Sequence, residues 1–278
     1  MYKCSHPKEL IVAFSYKDMK KKSSGAFLTI LKSPYYAGRG IYRLGKKIKQ
    51  KRVEKEIQSK REKITAEYGE LRIIEAISGD LSAWEKEILK AESKIGIILG
   101  ARGSGKTAFA IKLMENVYFK KKVKCYAMGF KKEEMPSWIE VVEDISQIKN
   151  NATVIIDEGG ILFSSRKAMS KPNQLLSELI LIARHKNLNI LFISQNSSNL
   201  DVNIIRQADF LVLKPTSLLQ KDFERKKIRD IYQEVEERFN KHRNDKGLAY
   251  IYANEFRGFV SNPLPSFWTS GISKSFRK

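Results

Sequence analysis

The stretch IGIILGARGSGKT, Ile95 to Thr107, decides the fold. Its first part, IGIIL, is a short apolar run, as expected of a strand that is buried on both faces. The remainder, GARGSGKT, matches the pattern G-x-x-x-x-G-K-[ST] at every position, and a stretch that we predict to be an amphipathic helix follows it at once. A strand, a glycine-rich turn and a helix in this order form a phosphate-binding loop, which we call the P-loop (Gly100–Thr107).

The P-loop predicts a nucleotide site with a magnesium ion. Its glycines let successive backbone N–H groups converge on phosphate oxygens, and the following helix adds the partial positive charge of its N-terminus. Lys106 would reach the β- and γ-phosphates of ATP, and the Thr107 hydroxyl would ligate Mg²⁺. The residues predicted to bind the nucleotide are therefore Gly100, Ala101, Arg102, Gly103, Ser104, Gly105, Lys106 and Thr107.

A second motif, TVIIDE (Thr153–Glu158), ends a predicted strand on two carboxylates. A buried parallel strand would bring Asp157 out at the same sheet edge as the P-loop, where it can hold Mg²⁺. Glu158 has the chemistry of a general base that orients the attacking water. Adjacent acids also occur in plain loops, but here a P-loop precedes them, and we therefore predict a catalytic pair.

The two motifs narrow the class of nucleotide-binding protein. GTPases carry an Asn/Thr-Lys-x-Asp guanine-reading motif, which this sequence lacks, and nucleotide kinases usually have no glutamate beside the metal aspartate. A metal aspartate followed by a glutamate, as in Asp157–Glu158, resembles one branch of the P-loop ATPases. In the sheet of these proteins, an extra strand lies between the strand of the first motif and the strand of the second. Asn189–Ser194 would then be the inserted strand. Its tip would emerge between the P-loop and the two carboxylates.

Apolar runs and helical stretches alternate from Lys94 onwards, which favours an α/β fold with a mainly parallel sheet. We predict a P-loop ATPase core of the RecA-like, additional-strand type over residues 94–215. A basic, largely helical extension, residues 1–93, would precede it, with a long charged helix that reaches about Lys94 and is interrupted at Gly69 and at residues 78–80. A charged helix and a β-hairpin, LAYIYANEFRGFV, would follow in residues 216–278.

The chain of 278 residues carries a formal charge of +21. Between Arg43 and Lys63, ten Lys and Arg stand against three Glu. This excess indicates a polyanionic partner, either nucleic acid or an anionic membrane surface; a composition bias of the source genome is the alternative explanation. Two cysteines and three histidines, all scattered, exclude a disulfide framework and a structural zinc site. Because no apolar run reaches membrane-spanning length and no signal peptide is recognisable, we expect a cytoplasmic protein without a transmembrane segment.

Two further blocks, ARHKNLNILFISQN (residues 183–196) and IIRQADFLVLK (residues 204–214), add a family resemblance. Together with GARGSGKT and VIIDEGG, they make residues 94–215 resemble the FtsK–HerA superfamily of DNA-pumping ATPases. Within it, the sequence is similar to viral genome-packaging ATPases and to zonula-occludens-toxin-like proteins of mobile elements. The resemblance implies a homo-oligomeric ring, a pentamer or hexamer, that hydrolyses ATP to move double-stranded DNA into a capsid.

The resemblance also implies roles for individual residues. Gln195 corresponds to the polar sensor at the strand tip, which reads the γ-phosphate or the attacking water. Arg184 corresponds to an arginine that a ring-forming subunit supplies to its neighbour's γ-phosphate, with Arg166 and Arg206 as other candidates. Alternatively, the cationic residues around Arg184 only complement the dipole of a helix C-terminus.

A basic segment, FSSRKAMSKPNQ (Phe163–Gln174), follows the second motif. In a ring it would face the pore, with Arg166, Lys167 and Lys171 on DNA phosphates, and a plain surface loop is the alternative. Aromatic residues are not interleaved with these charges, which favours sequence-independent contacts to the DNA backbone over base stacking.

Three other functions remain open from the sequence. A HerA-like translocase of cells or plasmids would share the active site and differ in its partner. A filamentous-phage-type assembly and export ATPase would engage a membrane-associated virion component. A DNA-binding protein without enzymatic activity would show no ATP turnover that responds to DNA.

Overall fold

A computed structural model describes residues 34–90, 93–157, 180–269 and 271–272. The chain divides into two compact units, residues 1–57 and 58–278. Helix α1 (Pro34–Glu62) holds the basic run, and its last turn belongs to the second unit. The boundaries at residues 93/94 and 215/216 remain a prediction from the sequence.

The described residues of the second unit form a nine-stranded, mostly parallel sheet. Its spatial order is β1-β9-β8-β7-β2-β6-β5-β3-β4. The strands are β1 (Arg72–Gly79), β2 (Ile95–Leu99), β3 (Lys124–Met128), β4 (Ile139–Val142), β5 (Ala152–Asp157), β6 (Leu188–Ser194), β7 (Phe210–Leu213), β8 (Leu248–Ala253) and β9 (Phe256–Ser261).

Helices cover both faces of this sheet, as the alternation of strands and helices predicts. They are α2 (Leu81–Lys90), α3 (Lys106–Lys121), α4 (residues 180–186), α5 (Val202–Gln207), α6 (Leu218–Asp222) and α7 (Lys226–Lys241). One hydrophobic cluster includes buried residues of α4, α5 and α7, and a second includes those of α2 and α3. Across the described ranges, no helix combines the length and apolar composition that a membrane span requires.

The inserted strand is where the sequence predicts it. Strand β6 lies between β2 and β5 and is parallel to both. In this register Leu99 of β2 lies beside Ser194, and Asp157 of β5 lies beside Ile193. All seven residues of β6 are buried, because helices cover the sheet on both sides. The carboxyl ends of β2, β6 and β5 are therefore level at one edge of the sheet.

The C-terminal hairpin is confirmed, and the long helix predicted up to about Lys94 is wrong for residues 63–79, which lie between α1 and α2. Strands β8 and β9 extend the sheet in antiparallel fashion beside β7. Residues 72–79 form β1, which pairs with β9, instead of a helix. Ile73 and Ile77 are four residues apart, a spacing that fits one face of a helix and also one face of a strand. Pairing with a strand that is distant in the sequence resolves this ambiguity. At the opposite side of the sheet, the short strand β4 pairs with β3 in parallel fashion.

Helix α3, which begins at the P-loop, is buried almost without interruption from Ala108 to Val117. Its polar residues are accommodated by internal pairing: Lys112 Nζ lies 2.9 Å from the Glu115 carboxylate and 3.0 Å from the Glu67 carbonyl oxygen. The backbone N–H of Ser266 also donates to Glu115, at 3.2 Å. Removing one partner of such a buried pair leaves an uncompensated charge, so these contacts hold α3 firmly against its surroundings.

Candidate active site

The P-loop has the backbone conformation that its glycines allow. Gly103 and Gly105 have φ angles of 78° and 89°, in the left-handed region that other residues rarely adopt. Gly105 is also the N-cap of α3, so the helix begins inside the loop. A Cβ atom placed on Gly103 would meet no atom within 4 Å, and the outer side of the loop is therefore open. Backbone N–H groups of the first turn of α3 are thus available to an anion at this opening.

Lys106 is 7% exposed and binds the P-loop itself. Its Nζ donates to the carbonyl oxygens of Gly100 and Ala101, at 2.8 Å each. The Ser104 hydroxyl is buried and has no hydrogen-bond partner among the described residues. The loop thus combines an ammonium group, helix N-terminal N–H groups and a hydroxyl that has no partner in the described part of the chain. This donor set fits a polyphosphate, whose charged oxygens accept stronger hydrogen bonds than peptide carbonyls do.

The two predicted magnesium ligands come from different elements at the same sheet edge. Asp157 is the last residue of β5, and Thr107 lies in the first turn of α3; both side chains are half-buried. Asp157 lies two strands away from β2, which corresponds to about 10 Å between backbones. A carboxylate and a hydroxyl are oxygen donors of the kind that Mg²⁺ takes, usually together with substrate phosphates. The residues present therefore fit this ion.

Gln195 emerges directly after β6, between the strands that end at the P-loop and at Asp157. Its side chain is exposed, and its carbonyl oxygen accepts a hydrogen bond from the Gln220 side chain. The same Gln220 Nε2 lies 3.4 Å from the carbonyl oxygen of Gly100. The position predicted for the strand tip is confirmed by the strand order, whereas the sensor role of Gln195 stays a prediction.

Residues that follow α6 bind the loop after Gln195 through hydrogen bonds. The Glu224 carboxylate accepts from the Ser197 N–H at 2.8 Å, and Arg225 donates to the carbonyl oxygens of Ser197 and Leu200 at 3.1 and 2.8 Å. Burial raises the pKa of Glu224, and its hydrogen bonds with Ser197 oppose this shift. Sequence reasoning missed Gln220, Glu224 and Arg225, because they are ordinary members of a charged helical stretch.

Arg184 lies at the other edge of the sheet. It is exposed on α4, just before the first residue of β6, whereas the P-loop lies level with the last residue of that strand. Seven residues of strand span about 20 Å, so the Arg184 side chain does not reach the P-loop of its own subunit. Arg206, at the end of α5 before β7, lies at the same distant edge. Either arginine can serve a nucleotide only in a neighbouring subunit.

Several predicted site residues lie outside the described residues. They are the proposed base Glu158 and the basic positions Arg166, Lys167 and Lys171. Their roles remain predictions from the sequence.

Removing the Lys106 ammonium should weaken nucleotide binding. We expect Lys106→Ala to lower the affinity for ATP by roughly tenfold to a hundredfold, because a hydrogen bond to a charged phosphate is lost. Titration of a fluorescent ATP analogue measures this. Lys121→Ala, which removes an exposed lysine from the other end of α3, is the matched control and should bind normally. Equal affinity of Lys106→Ala and wild type would contradict the predicted role.

Several solved structures are similar to part of this chain. The genome-packaging NTPase B204 of Sulfolobus turreted icosahedral virus 2, in complex with ATPγS, is 13% identical and aligns over 62% of this chain and 98% of its own, with a TM-score of 0.41. The pCW3 conjugation coupling protein TcpA is 12% identical over 61% of this chain and 60% of its own, with a TM-score of 0.41. EssC from Geobacillus thermodenitrificans is 10% identical over 63% of this chain and 40% of its own, with a TM-score of 0.39. At these TM-scores, the similarities add nothing to what the strand order itself establishes.

Among curated protein sequences, none matches this chain. A family match does exist, and it covers the segment that contains β2 to β7, with the P-loop, Asp157 and Gln195. Residues 94–213 match the family described as zonular occludens toxin (Zot). This segment of the chain is therefore similar to the zonular occludens toxin family, in agreement with the resemblance to the zonula-occludens-toxin-like proteins in its sequence.

Proposed function

We propose that the protein is a Mg²⁺-dependent ATPase that assembles as a homo-oligomeric ring and moves double-stranded DNA in viral genome packaging. The observation that carries this proposal is the level alignment of three strand ends. It brings the P-loop, the tip of β6 at Gln195 and the end of β5 at Asp157 to one edge of the sheet. A carboxylate and a polar sensor beside a phosphate site form the arrangement that ATP hydrolysis requires.

Each residue has a distinct task in the proposed reaction. Lys106 and the N–H groups of α3 bind and orient the phosphates, which concentrates positive charge where negative charge develops. Thr107 and Asp157 would hold Mg²⁺, which would neutralise negative charge on the phosphates. Glu158 orients the attacking water and takes up its proton. Gln195 reports the state of the nucleotide to the segments around it.

The contacts of Gln195 support a route from the nucleotide to the rest of the subunit. Gln220 binds both the P-loop strand end, at Gly100, and the sensor tip, at Gln195. Glu224 and Arg225, which follow Gln220 closely in the chain, hold the loop after β6. A displacement of either strand end on hydrolysis would therefore move the segment that leads into α7. This coupling is the property that a translocating ATPase needs and a static binding protein does not.

The formal charge of +21 supports nucleic acid as the partner. The Lys and Arg excess of α1 and the basic segment at residues 163–174 would contact phosphates without reading bases. Contacts of this kind suit a motor that must move any sequence.

The test is ATP turnover with and without double-stranded DNA. We expect turnover to rise several-fold with saturating DNA. The DNA concentration that gives half of this stimulation should increase steeply with salt, because binding to phosphates releases counterions. Phosphate release should be measured with the full chain at several salt concentrations. Asp157→Asn, which removes the magnesium carboxylate, is the matched inactive control and should show no turnover on DNA.

Unchanged turnover with DNA would contradict the proposal. ATP hydrolysis that ignores DNA would instead favour a second candidate, an assembly and export ATPase of the phage type. The match of residues 94–213 to the zonular occludens toxin family supports keeping this candidate. DNA binding without any hydrolysis would leave a non-enzymatic DNA-binding protein.

A further inference from the structure

Lys214 is a fully buried lysine directly beneath the P-loop. It follows β7, and its side chain is 0% exposed. A Cβ atom placed on Gly105 would lie 3.3 Å from Lys214 Cε and 3.6 Å from its Nζ. A Cβ atom on Gly100 would lie 2.7 Å from Lys214 Cβ. The lysine thus contacts both the first glycine of the P-loop and the glycine at the N-terminus of α3.

The Lys214 ammonium is held in this position by acceptors from the C-terminal part of the chain. Its Nζ donates to the carbonyl oxygen of Gly247 at 2.9 Å and to Asn262 Oδ1 at 3.1 Å. The ring of Phe109 in α3 lies on another side, with its centroid 5.8 Å from Nζ. The backbone of Lys214 is bound as well, because its N–H donates to the carbonyl oxygen of Leu99 at 2.8 Å. The amine therefore cannot swing away from the loop into solvent.

We propose that Lys214 is a positioning residue of the nucleotide site: its ammonium supplies a second, buried positive charge beneath the P-loop, and phosphate binding draws a proton onto it. This inference rests on the proposed nucleotide binding. Lys214 would act through Gly105 and the first turn of α3, because its ammonium is bound to Gly247 and Asn262. Buried charges interact strongly because water does not screen them.

The electrostatic surroundings of Lys214 allow its side chain to gain or lose a proton near neutral pH. Burial lowers the pKa of Lys214 to about 7, and the Asp245 carboxylate opposes this shift. Two uncharged groups also contact this residue: the Tyr232 hydroxyl of α7 donates to the Lys214 carbonyl oxygen at 3.2 Å, and the amide oxygen of Asn262 accepts from the Lys214 ammonium. Near neutral pH both forms of the Lys214 side chain are therefore populated.

The sign of the coupling follows from linkage. A bound polyphosphate favours the ammonium form and so raises the pKa of Lys214. Binding then takes up protons between the pKa of the free site, about 7, and the higher pKa of the occupied site. Affinity is highest where Lys214 is already charged and falls as pH rises through this window. An increase of one pKa unit corresponds to a tenfold gain in affinity.

The experiment is calorimetric titration of the full chain with Mg²⁺ and a non-hydrolysable ATP analogue. Each titration is done in two buffers of different ionisation enthalpy, which gives the number of protons exchanged. For wild type we expect uptake of roughly half a proton between pH 7 and 8, falling towards zero at pH 6. Lys214→Gln, which keeps a donor for Gly247 but has no charge, should lose this uptake and bind about tenfold more weakly at pH 6.

Two further variants control for folding and for simple loss of charge. Lys214→Arg stays charged at every pH, so it should also lose the proton uptake while its affinity becomes independent of pH in this window. Lys246→Gln removes an exposed lysine from the turn that borders Gly105, and it should keep the uptake of wild type.

The outcomes separate this inference from the proposed function. If wild type binds the analogue without proton uptake, or if Lys214→Gln and Lys214→Arg take up as many protons as wild type, Lys214 is not the coupled group. If wild type does not bind the analogue at all, the proposed ATPase function itself fails, and this inference fails with it.

Discussion

Arg184→Ala is expected to lower ATP turnover of the assembled protein by roughly 10³–10⁵-fold, with the affinity for ATP close to that of wild type. An arginine supplied to a γ-phosphate stabilises charge that develops in the transition state, so its loss affects turnover far more than binding. Arg184 is exposed and lies one strand length away from its own P-loop. Arg184 would therefore act on the nucleotide bound to a neighbouring subunit.

A mixing experiment tests that geometry directly. Subunits with Arg184→Ala retain an intact P-loop, and subunits with Lys106→Ala retain Arg184. In a mixed ring, a Lys106→Ala subunit can supply its arginine to a neighbour that carries Arg184→Ala, so the mixture should recover turnover that neither variant has alone. Absence of recovery in mixed oligomers would contradict Arg184 as the residue supplied in trans.

Arg206→Ala is the matched control for Arg184. Both arginines precede a parallel strand at the same sheet edge, so both could reach a neighbouring subunit. We expect near-normal turnover from Arg206→Ala. The reverse result, a large loss with Arg206→Ala and none with Arg184→Ala, would move the assignment to Arg206.

The second large effect is expected at Glu158. Glu158→Gln should lower turnover by roughly 10²–10⁴-fold, the contribution of a positioned general base, while ATP still binds. Glutamine keeps the size and polarity of the side chain but cannot accept the proton of the attacking water. Phosphate release in single-turnover experiments, together with ATP affinity, measures both parts of this prediction.

Glu85→Gln provides a control for the loss of one carboxylate elsewhere in the unit. Glu85 lies on α2, on the face of the sheet that α3 also covers, and not at the nucleotide edge. It should hydrolyse ATP normally. Turnover of Glu158→Gln at the wild-type rate would show that another group orients the water.

The sequence alone was sufficient to predict which residues carry the chemistry proposed for the site. The P-loop, the acidic end of β5 and the polar tip of β6 each lie within one short window, where an apolar run ends on functional residues. Because parallel strands present their carboxyl ends at one edge, these windows also predict which residues come together. The strand order confirms this for Asp157 and Gln195.

Sequence periodicity did not predict the secondary structure correctly where a helix and a strand share the same spacing of apolar residues. Residues 72–79 have apolar positions compatible with a helix, yet they form a strand because β9 offers a pairing partner. Their burial is low, so the core does not impose a clear alternation on them. The cooperative pairing of distant strands therefore outweighed the local preference.

What the sequence determined by itself is the core fold, the P-loop and the identity of the residues that carry the proposed chemistry, because these depend on neighbours in the chain. Only the tertiary structure decided that Lys214 lies beneath the P-loop, that Gln220 joins Gly100 to Gln195, and that Arg184 lies at the far edge. These relations join residues that are far apart in the chain, and the folded sheet, not the local pattern, sets the distances between them.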